Sequence, residues 1–283
     1  GGTYAFHEPV FIRPEDSGTK ESPTIIRSVG DEKVILSGGI SIKGWKKQGK
    51  VWVADVPAFN GRPLDFRQLW VNGKKAVRAR DVEDFEKMNR ICSVDEKNEI
   101  LYVPAVSIRR LIDNKGNLKA KYAEMVLHQM WCVANLRIRS VEVQGDSAAI
   151  RFHQPESRIQ FEHPWPHPMV TTDGHNSAFY LTNARELQDV PGEWYHDIDA
   201  RKVYYYPREG EKMQEAEVIV PAVETLVRVE GTLDRPVRHI RFEKITFSYT
   251  TWMRPSEKGH VPLQAGMYLT DGYRIEPKMQ RDY

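Results

Sequence analysis

Short apolar runs separated by turn-forming residues constrain this chain more than any other feature. The runs Val10-Phe11-Ile12, Thr24-Ile25-Ile26 and Val34-Ile35-Leu36 are each the length of a strand, and Gly, Pro, Ser and Asp fill the segments between them. Helical patterns are confined to residues 84–89 and 106–113, which are too short to organise a domain. The sequence therefore predicts an all-β chain.

Between about residues 45 and 221 the strands become longer and carry antiparallel turn signals. Asn72-Gly73 separates two apolar segments and predicts a type I′ hairpin, because both residues tolerate a positive φ. The alternation of apolar and polar residues reverses its phase at Ser140, which predicts a β-bulge there. After residue 221 short runs return, and those that begin at Ile245 and Met267 lie 22 residues apart (267 − 245), about one coil of a parallel β-helix.

Composition removes several classes of function. The net charge is +2, from 41 basic and 39 acidic residues, so no overall field favours nucleic acid or an anionic membrane. No stretch approaches the ~20 apolar residues of a membrane-spanning helix, and we predict no membrane insertion. Phosphate-binding glycine loops, serine nucleophile elbows and redox cysteine pairs are missing from the sequence. Cys92 and Cys132 are the only cysteines, and both pairing and free burial remain open.

Three segments carry a resemblance to a known family. They are FRQLWVNGKKAVRAR at residues 66–80, DVPGEWYHD at 189–197 followed by YYYPR at 204–208, and GGTY at 1–4 followed by DSGT at 16–19. In this order they resemble bacterial right-handed parallel β-helix proteins similar to glycoside hydrolase family 141.

The resemblance implies a fold, a location and an activity. The fold would be a right-handed parallel β-helix interrupted by an inserted antiparallel, β-sandwich-like region. Residues 1–44 would form the first coils, 45–221 the insertion and 222–283 the resumption of the β-helix. The parent would be a longer, secreted or periplasmic glycoside hydrolase that acts on plant-type polysaccharide without a cofactor. Its catalytic carboxylates would lie beyond Tyr283, so the chain itself would be inactive.

Two alternatives remain open at this point. One is a polysaccharide lyase of similar fold, and the other is a non-catalytic carbohydrate-binding or structural module. In each case the expected partner is an oligo- or polysaccharide, and the sequence does not specify an oligomeric state.

Glycoside hydrolysis needs two carboxyl groups on either side of one bond, and the sequence does not pair any. The acids nearest to aromatic or His-rich stretches are Asp173, Glu193, Asp197, Glu224, Glu243 and Asp271. Each is also compatible with a solvated or turn-forming role. The catalytic residues therefore stay unassigned.

Sugar binding has more specific candidates. Three prolines within residues 161–168 predict a loop, in which Trp165 could stack on a pyranose while His167, and His175 farther along, hydrogen-bond its hydroxyls. Residues 250–255 follow a solenoid-like strand and are predicted to form a loop, in which Trp252 could stack in the same way. The alternative for both tryptophans is simple packing. Although histidines are frequent here, their spacing favours no metal site.

Arginines on a predicted strand provide a further candidate. Arg78 and Arg80 could contact a uronate, although alternating basic residues more often form a hydrated face beside acidic residues.

Overall fold

Strands make up most of the regular structure in the computed structural model, which describes residues 1–162 and 167–262. Strands account for 41% and helices for 11%, which confirms the all-β prediction. The chain divides into a first unit, Gly1–Ala76 with Ile198–Met253, and a second unit, Val77–Asp197 with the residues from Arg254 onward. Within the described residues, no helix has the length and apolar character needed to cross a membrane.

The described residues form mostly short strands with a few helical turns between them. The first strands are β1 (Gly2–Ala5), β2 (Val10–Ile12), β3 (Thr24–Arg27), β4 (Val34–Ser37), β5 (Gly39–Ser41), β6 (Lys46–Gln48), β7 (Val51–Asp55), β8 (Ala58–Phe59), β9 (Arg62–Pro63), β10 (Trp70–Val71), β11 (Lys74–Lys75) and β12 (Val77–Arg78). The next are β13 (Asn89–Arg90), β14 (Ser93–Asp95), β15 (Ile100–Pro104), β16 (Glu124–Gln129), β17 (Cys132–Gln144), β18 (Ser147–Phe152) and β19 (Ala178–Thr182). The last are β20 (Glu193–Asp197), β21 (Lys202–Tyr205), β22 (Val218–Pro221), β23 (Val227–Val229), β24 (Ile240–Glu243) and β25 (Ile245–Ser248). The helices are α1 (Ala105–Ile108), α2 (Glu156–Glu162) and α3 (Arg254–Lys258), with 3-10 turns at Pro14–Asp16, Phe85–Lys87, Arg109–Leu111 and Arg185–Leu187.

Parallel pairs join the two ends of the first unit. Strand β4 lies between β1 and β25, with Val34 opposite both Gly2 and Ile245. In the same way β23 pairs with β2, and β24 pairs with β3. All three apolar runs predicted near the N-terminus are therefore strands, and each has a parallel partner from the last part of the unit. The predicted run at Met267 lies outside the described residues.

Two adjacent glycines, Gly38 and Gly39, lie directly after β4, where the chain leaves the parallel strands. The segment that leads back to these strands packs against both glycines. Strand β5 pairs antiparallel with β22, so that Gly39 lies opposite Pro221. A Cβ on Gly39 would lie 2.4 Å from Cγ2 of Ile219, and one on Gly38 would lie 2.6 Å from Cγ2 of Val223. Since real Cβ atoms do not approach so closely, only glycine allows the segments to meet here.

The other strands of the first unit are antiparallel. Strands β10 and β11 form the predicted hairpin, with φ of 51° at Asn72 and 74° at Gly73. These two positive values confirm the type I′ signal. Strand β7 pairs with β6 on one side and with β21 on the other.

A single curled antiparallel sheet dominates the second unit. Its strand order is β13-β19-β16-β17-β18-β15-β14. The long strand β17 pairs with β16 through its first half and with β18 through its second half. The register shifts between Ile138 and Ser140, which confirms the predicted bulge. A bulge bends its strand and increases the local twist, so the sheet curls around its core. That core contains fully buried Leu101, Met125 and Phe179.

The sequence analysis missed two short helices. Phe161 and Glu162, predicted to lie in a loop, end α2, and Arg254 and Pro255, also predicted to lie in a loop, begin α3. Proline at the start of a helix costs no hydrogen bond, because the first backbone N–H groups have no partner inside the helix. The predicted helical turns at 84–89 and 106–113 are confirmed as Phe85–Lys87, α1 and Arg109–Leu111.

A buried ion pair ties α2 to the sheet. The Glu156 side chain is fully buried and accepts hydrogen bonds from Arg137 at 2.7 Å (Nε to Oε1) and 2.9 Å (Nη2 to Oε2). Arg137 also donates to the backbone oxygen of Ser256 in α3, at 3.3 Å. One guanidinium therefore connects both missed helices to β17.

We expect Glu156→Ala to lower the free energy of unfolding by about 3–5 kcal/mol, because Arg137 would lose the carboxylate that compensates its half-buried charge. Urea denaturation followed by tryptophan fluorescence measures the change. The matched control is Glu162→Ala in the same helix, which removes an exposed pair with Arg158 at 2.6 Å. Its expected effect is below about 1 kcal/mol, and equal losses in the two variants would contradict the prediction.

Candidate functional site

One face of the curled sheet points away from the main hydrophobic core. In β19 and β16 the residues Phe179, Leu181, Met125 and Leu127 are fully buried in the core. Neighbouring residues in a strand point to opposite sides, so Tyr180 and His128 lie on the other face. A bridge between Arg80 and Thr182 places Arg80 beside β19 on that second face. Residues from distant parts of the sequence therefore meet on one surface.

Aromatic and cationic side chains form a continuous series across this surface. The ring of Phe85 contacts His128 edge-on at 5.3 Å between centroids, and His128 lies 6.1 Å from Tyr180. The guanidinium of Arg90 lies 5.0 Å from the Phe85 centroid, and that of Arg80 lies 5.7 Å from the Tyr180 centroid. We call these five residues, Arg80, Phe85, Arg90, His128 and Tyr180, the arginine–aromatic face.

His128 is the central residue of the face. Burial, together with the charge of nearby Arg90, lowers the pKa of His128 below its usual value. The imidazole is therefore neutral at pH 7 and acts as a ring between two aromatic neighbours. Its Nε2 atom is buried and has no hydrogen-bond partner among the residues that the structure describes.

The arginines near this face differ in how strongly they are held. Arg78 binds Glu124 at 2.9 Å, and the Glu124 side chain is only 3% exposed. Arg80 binds Glu83 at 2.6 Å, but the Glu83 side chain is 77% exposed. An ion pair with an exposed carboxylate contributes little to stability, because water solvates the carboxylate equally well. Breaking an ion pair with a buried carboxylate is costly, because a buried charge loses its compensation. Arg80 is therefore the arginine whose partner is most easily replaced.

Two acids, half-buried Asp81 and buried Glu193, fix the segment that carries Arg78 and Arg80. The backbone N–H of Arg80 in this segment donates to Glu193 at 3.3 Å. Asp81 accepts a hydrogen bond from the backbone N–H of Leu181 at 2.8 Å, and burial raises the pKa of Asp81 to about 6. Glu193 accepts from the backbone N–H groups of Asp189 and Val190 at 2.9 and 3.0 Å. Burial also raises the pKa of Glu193. Both acids organise backbone, which accounts for their burial without a catalytic role.

Of the predicted sugar-binding histidines, His175 lies in a loop next to this face and His167 lies just before that loop. The Ser177 N–H donates to the Met169 backbone oxygen at 2.9 Å, and the Met169 N–H donates to the Ser177 hydroxyl at 2.9 Å. These two bonds close the loop, and exposed His175 lies near its tip. Its Asn176 accepts a hydrogen bond from Arg90 at 3.2 Å, so the loop adjoins the arginine–aromatic face. His167, just before the loop, is half-buried. Trp165 lies outside the described residues.

Trp252 belongs to the first unit and is 45% exposed. Its two neighbours are fixed by hydrogen bonds, from Thr251 N–H to Val223 O at 3.2 Å and from Met253 N–H to Glu224 at 2.6 Å. The backbone therefore presents this indole at a defined place.

The other acids considered from the sequence are not brought together as a pair by any contact in the described residues. Asp173 is exposed, and the nearby Thr171 side chain together with a hydrogen bond from the His175 N–H lowers its pKa. Glu243 pairs with Arg241 at 3.0 Å. Asp197 is half-buried in β20, and Asp271 lies outside the described residues.

The cysteines and metal-binding residue types add no further site. Cys92 is exposed and Cys132 is partly buried, and both are free thiols. Burial raises the pKa of Cys132 to about 11, so it is protonated at neutral pH. In residues 1–162 and 167–262, no group of three or more His, Cys, Asp or Glu side chains is arranged to hold a metal ion.

Comparison with known proteins identifies the class of domain. The family model described as the GH141 insertion domain matches residues 49–208, more than half of the chain. The chain therefore belongs to the GH141 insertion domain family. A solved structure named glycoside hydrolase is 88% identical, with a TM-score of 0.95, over 100% of this chain and 48% of the other chain. This chain thus spans about half the length of that relative. No curated protein gives a significant match.

Sequence reasoning found part of the arginine–aromatic face. It singled out Arg78 and Arg80, but it missed Phe85, Arg90, His128 and Tyr180. These residues come from separate segments, and only the strand register places them side by side. The available signal was the alternation in β19, where Tyr180 lies between the apolar residues Phe179 and Leu181.

We expect Asp81→Asn to remove a component of the pH dependence of stability. The folded-state pKa of Asp81, about 6, lies above its unfolded value, so the folded chain binds the extra proton between about pH 4 and pH 6. The stabilisation is therefore present at low pH and is lost as the pH rises through about 6. Relative to the variant, the natural chain should lose up to about 3 kcal/mol between pH 4 and pH 7.

Urea denaturation at a series of pH values measures this difference, and asparagine keeps an oxygen that can accept the Leu181 hydrogen bond. Asp95→Asn is the control with the opposite sign, because hydrogen bonds from Asn98 lower the pKa of Asp95. An unchanged pH profile in Asp81→Asn would contradict the assignment.

Proposed function

We propose that this chain is the N-terminal part of a β-helical glycoside hydrolase that acts on plant-type polysaccharide. The observation that carries the proposal is the 88% identity, over the whole chain, to a protein named glycoside hydrolase. The family match at residues 49–208 supports it, because that family is the insertion domain of GH141. A secreted or periplasmic location fits degradation of an external polymer.

The parallel strand pairs support the solenoid part of the proposal. Strands β1, β2, β3 and β4 follow one another before β4 pairs with β1, which takes 32 residues from Gly2 to Val34 (34 − 2). Later β23, β24 and β25 pair in the same order with β2, β3 and β4. A chain that lays successive strands on the same three ladders winds as a coil. Residues 1–44 and 222–283 would form coils, and 45–221 would be an inserted antiparallel, β-sandwich-like region.

The role of this chain in the proposed enzyme is to bind and orient the polymer. The acids Glu193 and Glu224 accept backbone hydrogen bonds, which accounts for them structurally. Hydrolysis needs two carboxyl groups about 5–9 Å apart, and we assign these to the rest of the longer parent. Trp252 is our candidate for a sugar-stacking residue, because a partly exposed indole at a fixed position suits the apolar face of a pyranose.

We expect the full-length parent, but not this 283-residue chain alone, to release reducing ends from a panel of plant polysaccharides. Turnover by the chain alone would contradict the assignment of the catalytic carboxylates. A product that absorbs in the ultraviolet would indicate an unsaturated sugar and hence lyase chemistry instead.

In the same parent, Trp252→Ala should raise KM about 2–10-fold with little change in kcat, because stacking stabilises the bound substrate and the transition state alike. Trp131→Ala is the matched control, since Trp131 is 60% exposed at the turn between β16 and β17. Equal effects of the two substitutions would exclude a specific role for Trp252.

A further inference from the structure

We propose that the arginine–aromatic face binds an acidic sugar, a uronate residue of the polysaccharide, with Arg80 as the ligand of its carboxylate. This inference rests on the proposed function, since it names a class of sugar for a domain that handles carbohydrate. It assigns a binding site to the insertion domain itself.

The aromatic part of the face suits a sugar ring. Phe85 is 45% exposed and Tyr180 is half-buried, and the two rings lie on either side of His128. Exposed aromatic rings pack against the C–H groups of a pyranose, while polar groups beside them fix its orientation. The adjoining loop with exposed His175 adds such a polar group at the Arg90 end.

The charge on the face selects an acidic sugar. Arg80 is 21% exposed, and its partner Glu83 extends into solvent. A carboxylate already occupies the position next to this guanidinium, so the site has the geometry of a carboxylate complex. Because the Arg80–Glu83 pair is exposed, replacing Glu83 by the carboxylate of a ligand loses little.

The neighbouring arginine Arg78 cannot exchange its carboxylate partner for a ligand as Arg80 can. Arg78 is bound to a buried carboxylate, that of Glu124, and is only 13% exposed itself. Exchanging Glu124 would break a buried ion pair, which is strongly unfavourable. Asp84, on the segment that carries Phe85, pairs with Lys87 at 3.1 Å, which offsets its repulsion of an acidic ligand.

Calorimetric titration of the 283-residue chain tests the proposal with two probes that differ in one group. These are tetragalacturonate and the same tetramer with its carboxyl groups reduced to alcohols. We expect the acidic tetramer to bind at least about 10-fold more tightly at low salt, and the difference to shrink as salt rises. Equal affinities would overturn the proposal.

Variants then locate the binding. Arg80→Gln should weaken binding of the acidic tetramer about 10-fold, with little effect on the reduced one. Glu83→Gln should tighten binding of the acidic tetramer about 2–5-fold, because the competing carboxylate is removed. A purely structural role of the Arg80–Glu83 pair predicts no such gain. Arg109→Gln removes an exposed arginine of the same unit and should change neither affinity.

The outcomes separate this inference from the proposed function. Thermal unfolding of each variant shows whether it is folded, and Arg80→Lys, which keeps the charge but not the planar fork, should bind with intermediate affinity. Acidic binding that is unchanged in Arg80→Gln, or no gain in Glu83→Gln, overturns the uronate site while leaving polysaccharide hydrolysis by the parent intact. Failure of the parent to cleave any polysaccharide overturns the proposed function independently.

Discussion

The close approach of two segments at Gly38 and Gly39 is the constraint on which the first unit depends. Here the chain leaves one set of parallel strands and returns to it, with Pro221 opposite Gly39. Ile219 and Val223 fill the space that a side chain would need. A parallel pair such as β4 and β25 always requires a long connection between its strands. In this chain the connection includes the entire family-matched region, and the glycines allow its two ends to meet.

Local signals were enough to predict many of the strands. The runs at Val10, Thr24 and Val34, the Asn72-Gly73 turn and the bulge before Ser140 all follow from residue type and alternation. Helices α2 and α3 could not be found in this way, because they are short and stabilised by tertiary contacts. Both depend on Arg137, which lies in β17 and binds Glu156 in one helix and the Ser256 backbone in the other.

The arginine–aromatic face shows why a site is harder to predict than a strand. Arg80, Phe85, His128 and Tyr180 span 100 positions of the chain (180 − 80), and no local pattern relates them. The pairing of β16 with β19 and the bridge from Arg80 to Thr182 determine which side chains share the face. A change of register by one residue would turn Tyr180 into the core and Phe179 outward. The composition of the site therefore depends on the register of these strand pairs.

Burial decides which of the charged pairs in the second unit are structural. Glu124 and Glu156 have side chains that are 3% and 0% exposed, and each neutralises the charge of an arginine that is itself mostly buried. Glu83 is 77% exposed and is hydrated whether or not Arg80 is beside it. The first two pairs therefore hold the sheet together, since losing either partner leaves a costly charge. The third leaves Arg80 able to exchange one carboxylate for another, which is what recognition of an acidic ligand requires.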